Sequence, residues 1–304
     1  MSQPMLARLQ AAAATTLTDS VRDGLPNFDT LFTPPAYAMY LALAGMLLWT
    51  AVYILVIRIG QRQKTYGIPL LAIALNFTWE LYYIVFAPES TGGSSAVFAA
   101  HFLWLALDLV IVWQLVKHGR AEQKVPEIRR YWYPVLAVTF AAAFAAHHAY
   151  YVETTANQIF PVVSASGSAF ALNVVMSALF IFMFFERRDL HGLSYAAAWL
   201  KLVASSLISI ANVIMFAGGT QQAFDVWLRP AGESIAPLRQ FGTIGGDNIR
   251  PDFFYVMFAV VLLLDVIYLL LLTHARRALA AGASSVAGVS PEPRMRTSHQ
   301  ASVV

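Results

Sequence analysis

Cysteine is absent from the 304 residues. That excludes disulfides, thiolate metal sites and a cysteine nucleophile. Charge is scarce as well: Asp, Glu, Lys and Arg make up 12% of the chain, about half the roughly 25% of a soluble domain. No stretch alternates apolar and polar residues in the manner of a half-buried strand. What the chain has instead is apolar surface, 58% hydrophobic and 13% aromatic residues gathered in long uncharged runs. Much of its exterior must therefore meet lipid.

Crossing the hydrocarbon core takes about 20 apolar residues. Seven runs meet that length, at about 35–57, 67–87, 96–116, 131–151, 168–186, 193–217 and 252–273. Backbone groups in lipid must be paired internally, so these runs are expected to be helices. The fold class is thus all-α, a polytopic membrane protein with a seven-transmembrane-helix bundle over residues 34–275. The net charge of +3 and pI near 9.1 point to orientation rather than to nucleic acid. Arg58, Arg62 and Lys64, then Lys117, Arg120, Lys124, Arg129 and Arg130, then Arg187 and Arg188, then Arg276, Arg277, Arg294 and Arg296 fall on one side. The other side holds only Arg8, Arg22, Arg229, Arg239 and Arg250. The positive-inside rule then places the N-terminus outside and the C-terminus in the cytoplasm.

Three segments lie outside the spans. Residues 1–33 carry scattered charges and read as a mobile or interfacial arm, not a signal peptide. The long connection 218–251 is rich in Gly and contains Trp227, Glu233 and Asp247; it reads as a lid over a site or as a plain outer loop. Residues 276–304 turn to Ala, Ser, Gly and Pro, the composition of a disordered cytoplasmic tail.

An ionisable residue at mid-bilayer costs about 2.5–3.5 kcal/mol on insertion scales, so it tends to face the bundle interior and to serve a purpose. Four spans contain one: Glu80, Asp108, Lys201 and Asp265. Spacings of three, four and seven place Asn76, Glu80 and Tyr83 on one helix face, and His101, Trp104 and Asp108 on another. Asp265 precedes Tyr268 by three. Glu80, His101, His147 and His148 are expected in the outer half of the membrane, with Asp108 and Asp265 near the midplane. Lys201 enters from the cytoplasmic side, where it snorkels or pairs with an acid. His147 and His148 are adjacent, so they diverge and do not make a metal site. Trp79 and Trp104 belong near the site through their acidic neighbours.

Burial in apolar surroundings favours the neutral form of a carboxyl. Such a group is a strong general acid toward an apolar substrate, provided that its proton is replaced. Aromatic faces can hold a developing cation. By themselves these features suit a proton-started polyene cyclisation, a proton relay or a lipid pocket alike.

The run Asn76-Phe77-Thr78-Trp79-Glu80, continuing Leu81-Tyr82-Tyr83, resembles the N-x-x-W-E-x-x-Y signature of the small integral-membrane terpene cyclases of fungal and bacterial meroterpenoid and indole-terpenoid pathways. The segment HFLWLALD, His101 to Asp108, is similar to that family's W-x-x-x-D element. Leu264-Asp265-Val266-Ile267-Tyr268 resembles its last-helix D-x-x-Y, and Trp199-Leu200-Lys201 a recurring W-x-K. The resemblance covers about 35–273. It implies that Glu80 and Asp265 are the acids that protonate a terminal epoxide or alkene, with Glu80 the donor and Asp265 tuning or reloading it. Asp108 is expected as a third catalytic residue beside them, and Trp79, Trp104, Tyr83, Asn76, Tyr268 and His101 are expected to line the substrate and steady its cations. The implied substrate is a hydrophobic prenylated small molecule taken from the bilayer. No cofactor, metal, nucleic acid or obligate protein partner is implied. The aspartate-rich motif that binds magnesium diphosphate is missing, since Asp108 stands alone. The expected membrane is the plasma membrane of a bacterium or the endoplasmic reticulum of a fungus.

Other readings of the same residues stay open. A retinal receptor needs a lysine deep in the last span, and 252–273 has none. A sterol or lipid isomerase or hydrolase also uses buried carboxyl groups and histidine. A transporter would show a repeat or broken helices, and a non-catalytic lipid-binding protein would use the acids for packing alone.

Overall fold

In the computed structural model, residues 34–91, 95–157, 159, 161–187, 190–217 and 251–287 are described. The arm 1–33 and most of the 218–251 connection and of the 276–304 tail lie outside them. Among the described residues there is no strand. The helices are α1 (Pro34–Gln63), α2 (Leu70–Val85), α3 (Ser95–Glu122), the short α4 (Pro126–Arg130), α5 (Trp132–Ala156), α6 (Pro161–Arg187), α7 (Tyr195–Ala217) and α8 (Pro251–Ala287). A single 3₁₀ turn, Pro88–Thr91, follows α2.

Helix starts follow local chemistry. α1, α4, α6 and α8 each open on a proline, whose fixed φ and missing N–H suit the first helical position. At the far end of α5, the Asn157 side chain donates to the Glu153 carbonyl at 2.8 Å. Six helices, all but α2 and α4, are long and apolar enough to cross a membrane, and α2 is a shorter apolar helix of 16 residues. Their outward faces carry large exposed apolar side chains such as Leu47, Phe102, Val138, Phe182 and Leu270. The last helix continues to Ala287, past residue 275, where apolar character fades.

The principal packing contacts close a ring: α1 on α3, α3 on α2, α2 on α5, α5 on α6, α6 on α8, α8 on α7 and α7 back on α1. α2 also touches α6 directly, so α5 sits outboard of a smaller ring. The α1–α7 contact is the most extensive, and small residues make it so. A Cβ on Gly45 would lie 2.6 Å from Ile208 Cγ1 and 3.0 Å from the Ala204 carbonyl oxygen.

The end bearing the 64–69, 123–131 and 190–194 connections is tied by polar contacts. Arg187 pairs with Glu122 at 2.8 Å and lies 4.5 Å above the Tyr66 ring. Gln123 donates to the Tyr66 hydroxyl at 3.3 Å. Gly192, at φ +75°, donates its N–H to Gln63 Oε1 at 2.6 Å; only glycine takes that backbone conformation without strain. The main core gathers around α2, with Ile73, Tyr82 and Tyr83 packed among Ile111, Leu115, Trp132 and Leu272.

Candidate active site

A cavity of about 310 Å³ lies inside the smaller ring. α1 contributes Ala42, Met46, Trp49 and Tyr53; α2 contributes Asn76, Trp79 and Glu80; α3 contributes His101 and Trp104. Much of the opposite wall is α6, from Ala165 to Met176, with Ile208 and Asn212 of α7 beside it. The lining is mostly apolar and aromatic, with a few convergent polar groups, as small-molecule sites usually are.

The polar groups are held in place from behind. Glu80 is the exception: it is 2% exposed, and its Oε2 lies 3.3 Å from His101 Nδ1 without hydrogen-bond geometry. Asn76, one turn deeper on α2, donates to Asp108 Oδ2 at 2.7 Å and also to the Tyr53 hydroxyl. The Trp79 indole donates to Ser168 Oγ at 2.9 Å. The Tyr83 hydroxyl meets the same oxygen at 3.0 Å. Trp104 donates to Thr50 Oγ1 at 2.9 Å. Each ring is therefore fixed in rotation as well as in position.

The rings form a continuous file. Trp49 and Tyr53 have centroids 6.5 Å apart, Tyr53 stacks on Trp104 at 6.4 Å, Trp104 on His101 at 5.8 Å, and His101 adjoins Trp79 at 5.0 Å. The acid Glu80 adjoins this file at His101. Lys201 Nζ lies 5.5 Å from the Trp49 ring.

The residues expected from sequence divide into two groups. Glu80, Trp79, Asn76, His101 and Trp104 line the cavity. Asp108 is fully buried behind Asn76, and Tyr83 backs Trp79, their centroids 4.9 Å apart. Asp265 and Tyr268 are not among the lining residues. Both Asp265 oxygens accept from Lys201 Nζ, at 2.6 and 2.8 Å, and Lys201 also donates to Ser177 at 2.7 Å. Lys201 is thus paired with an acid and does not snorkel to the interface. Tyr268 packs on Phe180 at 5.4 Å. His147 Nε2 meets the Leu75 carbonyl at 2.9 Å, whereas His148 Nδ1 meets the Tyr82 hydroxyl at 3.1 Å, so the two rings diverge. Among the described residues no three His, Cys, Asp or Glu side chains are grouped to hold a metal ion.

Sequence reasoning missed the α1 and α6 walls. Trp49 and Tyr53 are four apart and so share a helix face, but the first apolar run holds no acid to draw attention to them. Ser168, the common partner of Trp79 and Tyr83, carried no signal.

A sequence-family model described as Pyr4-like transmembrane terpene cyclases matches residues 28–232. The matched range holds Glu80, Asp108 and Lys201 and ends before Asp265. Among characterised proteins, the chain is similar to terpene cyclase ascF of Acremonium egyptiacum, 33% identical over 123 residues, which cover 40% of this chain and 43% of that protein. It is 35% identical over 104 residues to the Pyr4-family terpene cyclase mfmH of Annulohypoxylon moriforme, covering 33% and 41%. With terpene cyclase pyr4 of Aspergillus fumigatus it shares 26% over 187 residues, covering 59% and 74%. The matched stretches thus span less than half of ascF and mfmH. No solved structure matches the chain.

Proposed function

The chain belongs to the Pyr4-like transmembrane terpene cyclases, and on that premise we propose that it cyclises a prenylated small molecule by protonating a terminal epoxide or alkene. It is an integral membrane protein. Within the proposal, α2 is the seventh span, a helix of 16 residues about 24 Å long at about 1.5 Å per residue, and the basic connections face the cytoplasm.

One observation carries the reading: a buried carboxyl, Glu80, lines an apolar cavity beside a file of aromatic rings. The cavity volume of about 310 Å³ sits at the lower end of the ~300–1,000 Å³ range of small-molecule sites, which suits a single folded prenyl chain.

In the proposed reaction, the Glu80 O–H gives its proton to the epoxide oxygen or to the terminal alkene carbon. The C–O bond opens, or the π bond supplies its electrons, and a tertiary cation forms. Neighbouring alkenes attack in turn, each forming a C–C bond and moving the positive charge along the chain. The faces of Trp79, Trp104 and Tyr53 lie where that charge passes. The last cation loses a proton to solvent, either directly or after it has taken up water. Glu80, now a carboxylate, must regain a proton, and within the proposal His101, its Nδ1 3.3 Å away, turns to deliver one from Nδ1 while taking another from solvent at Nε2. Asp108 acts through Asn76, which it holds against the cavity wall.

The test is conversion of a phenol bearing an epoxidised farnesyl chain, beside its unepoxidised counterpart, by membranes containing the protein. Cyclised product is the expected result; from the unepoxidised chain it should carry one solvent deuterium on carbon after reaction in heavy water, whereas the epoxide takes its proton on oxygen, where it exchanges. Turnover of the Glu80→Gln variant at the wild-type rate would sink the assignment. Hydrolysis or double-bond migration in place of ring closure would move the protein to the lipid hydrolases or isomerases.

A further inference from the structure

Buried polar atoms are nearly always hydrogen-bonded, so an acceptor left bare in a cavity wall calls for a partner. Asn173 of α6, a lining residue, carries such an atom. Its Nδ2 donates to Ser205 Oγ of α7 at 3.2 Å, whereas its Oδ1 is buried and meets no donor among the described residues. Asn212 of α7 also lines the cavity, and its Nδ2 is engaged by the Ile208 carbonyl at 2.8 Å. Both amides on this wall are therefore held by their nitrogens. Among the described residues no Lys or Arg lines the cavity. Lys201, one turn from Ser205, directs its ammonium to Asp265 and Ser177 instead. A phosphate or carboxylate set against Asn173 would face a carbonyl oxygen with no cation to offset its burial. A neutral hydroxyl or N–H would supply the missing donor.

We propose that Asn173 Oδ1 accepts a hydrogen bond from a neutral donor, a hydroxyl or an N–H, on the polar head of the substrate, with Ser205 holding the amide from behind. Asn173 then selects among substrates by their heads, while Glu80, reaching the cavity from α2, acts on the prenyl tail. The identity of the occupant rests on the cyclase reading. The acceptor rests on the contacts of the amide itself.

The test needs no turnover. Its probe is a phenol bearing a fully saturated farnesyl chain, which cannot cyclise, bound to the purified protein in detergent. Two analogues are compared with it: the methyl ether, which keeps an oxygen acceptor and loses the donor, and the phosphate ester, which adds an anion. The phenol should bind on the order of tenfold more tightly than the ether, the scale of one net hydrogen bond. Asn173→Leu should bring phenol and ether to about equal affinity, chiefly by weakening the phenol. Asn173→Ala serves the same comparison if the leucine variant does not fold. Ser205→Ala should reduce the preference, since the amide loses its anchor. Equal binding of phenol and ether by the wild-type protein would overturn the proposal. So would a preference that survives Asn173→Leu, or tighter binding of the phosphate ester than of the phenol. If the preference depends on Asn173 but no ring forms from the unsaturated phenols, the cyclase reading fails and the head-group site stands. If rings form while phenol and ether bind alike, the head-group site fails and the cyclase reading stands.

Discussion

At the scale of single residues, the proposed reaction gives Glu80 and His101 separable roles. Losing a general acid costs typically 10²–10⁴-fold in rate, so Glu80→Gln should fall by about that factor in product formation while the protein still folds, because Gln keeps the shape. His101→Gln should behave differently. A glutamine cannot cycle a proton, so Glu80 is spent after its first use. The expected trace in rapid-mixing assays is a burst of about one product per protein, followed by slow turnover; a uniform slow rate with no burst would remove the reloading role. Ser168→Ala makes a third case. It leaves the Trp79 indole and the Tyr83 hydroxyl without their shared acceptor, a cost of roughly 1–3 kcal/mol for a buried donor. The measurement is the midpoint of thermal unfolding in detergent.

Among the helices, the contact between α1 and α7 depends on the absence of a side chain at Gly45. Valine there would drive its branches into Ile208 and the Ala204 carbonyl, and overpacking of this kind costs about 1–3 kcal/mol. The Gly45→Val protein should unfold at lower temperature and lose the cavity walls at Met46 and Trp49; an unchanged unfolding midpoint would show that the two helices are free to separate. The helices themselves were legible in the sequence because lipid leaves apolar runs no other conformation. The start of α6 was not. Ser164, Ser166, Gly167 and Ser168 lower the local hydropathy, so the run seemed to begin at 168, whereas the helix begins at Pro161. Those polar residues face inward, and hydropathy counts composition without regard to direction. Glu80, Asn76, Trp79, His101 and Trp104 could be grouped beforehand, since spacing along one helix fixes a shared face. The Lys201–Asp265 pair could not, because helix register does not say which helices are neighbours.

Across the whole molecule, the proposed topology puts the Glu80 end of the cavity toward the outer face and the Arg187–Glu122 end toward the cytoplasm. Since the chain has no cysteine, one introduced thiol is the only one. A cysteine at the exposed Glu89 or at Gln123 should react with an impermeant maleimide from opposite sides of sealed vesicles, with Glu89→Cys modified from outside; the reverse pattern would invert the orientation. The direct contact of α2 with α6 has a separate bearing on how such a protein can change. It leaves α5 outside the helices that line the cavity, so on the proposed function α5 is an exchangeable part. A chimera carrying the lipid-facing residues of α5 from a relative should yield the parental product, so new products must arise by drift in α1, α2, α3, α6 or α7.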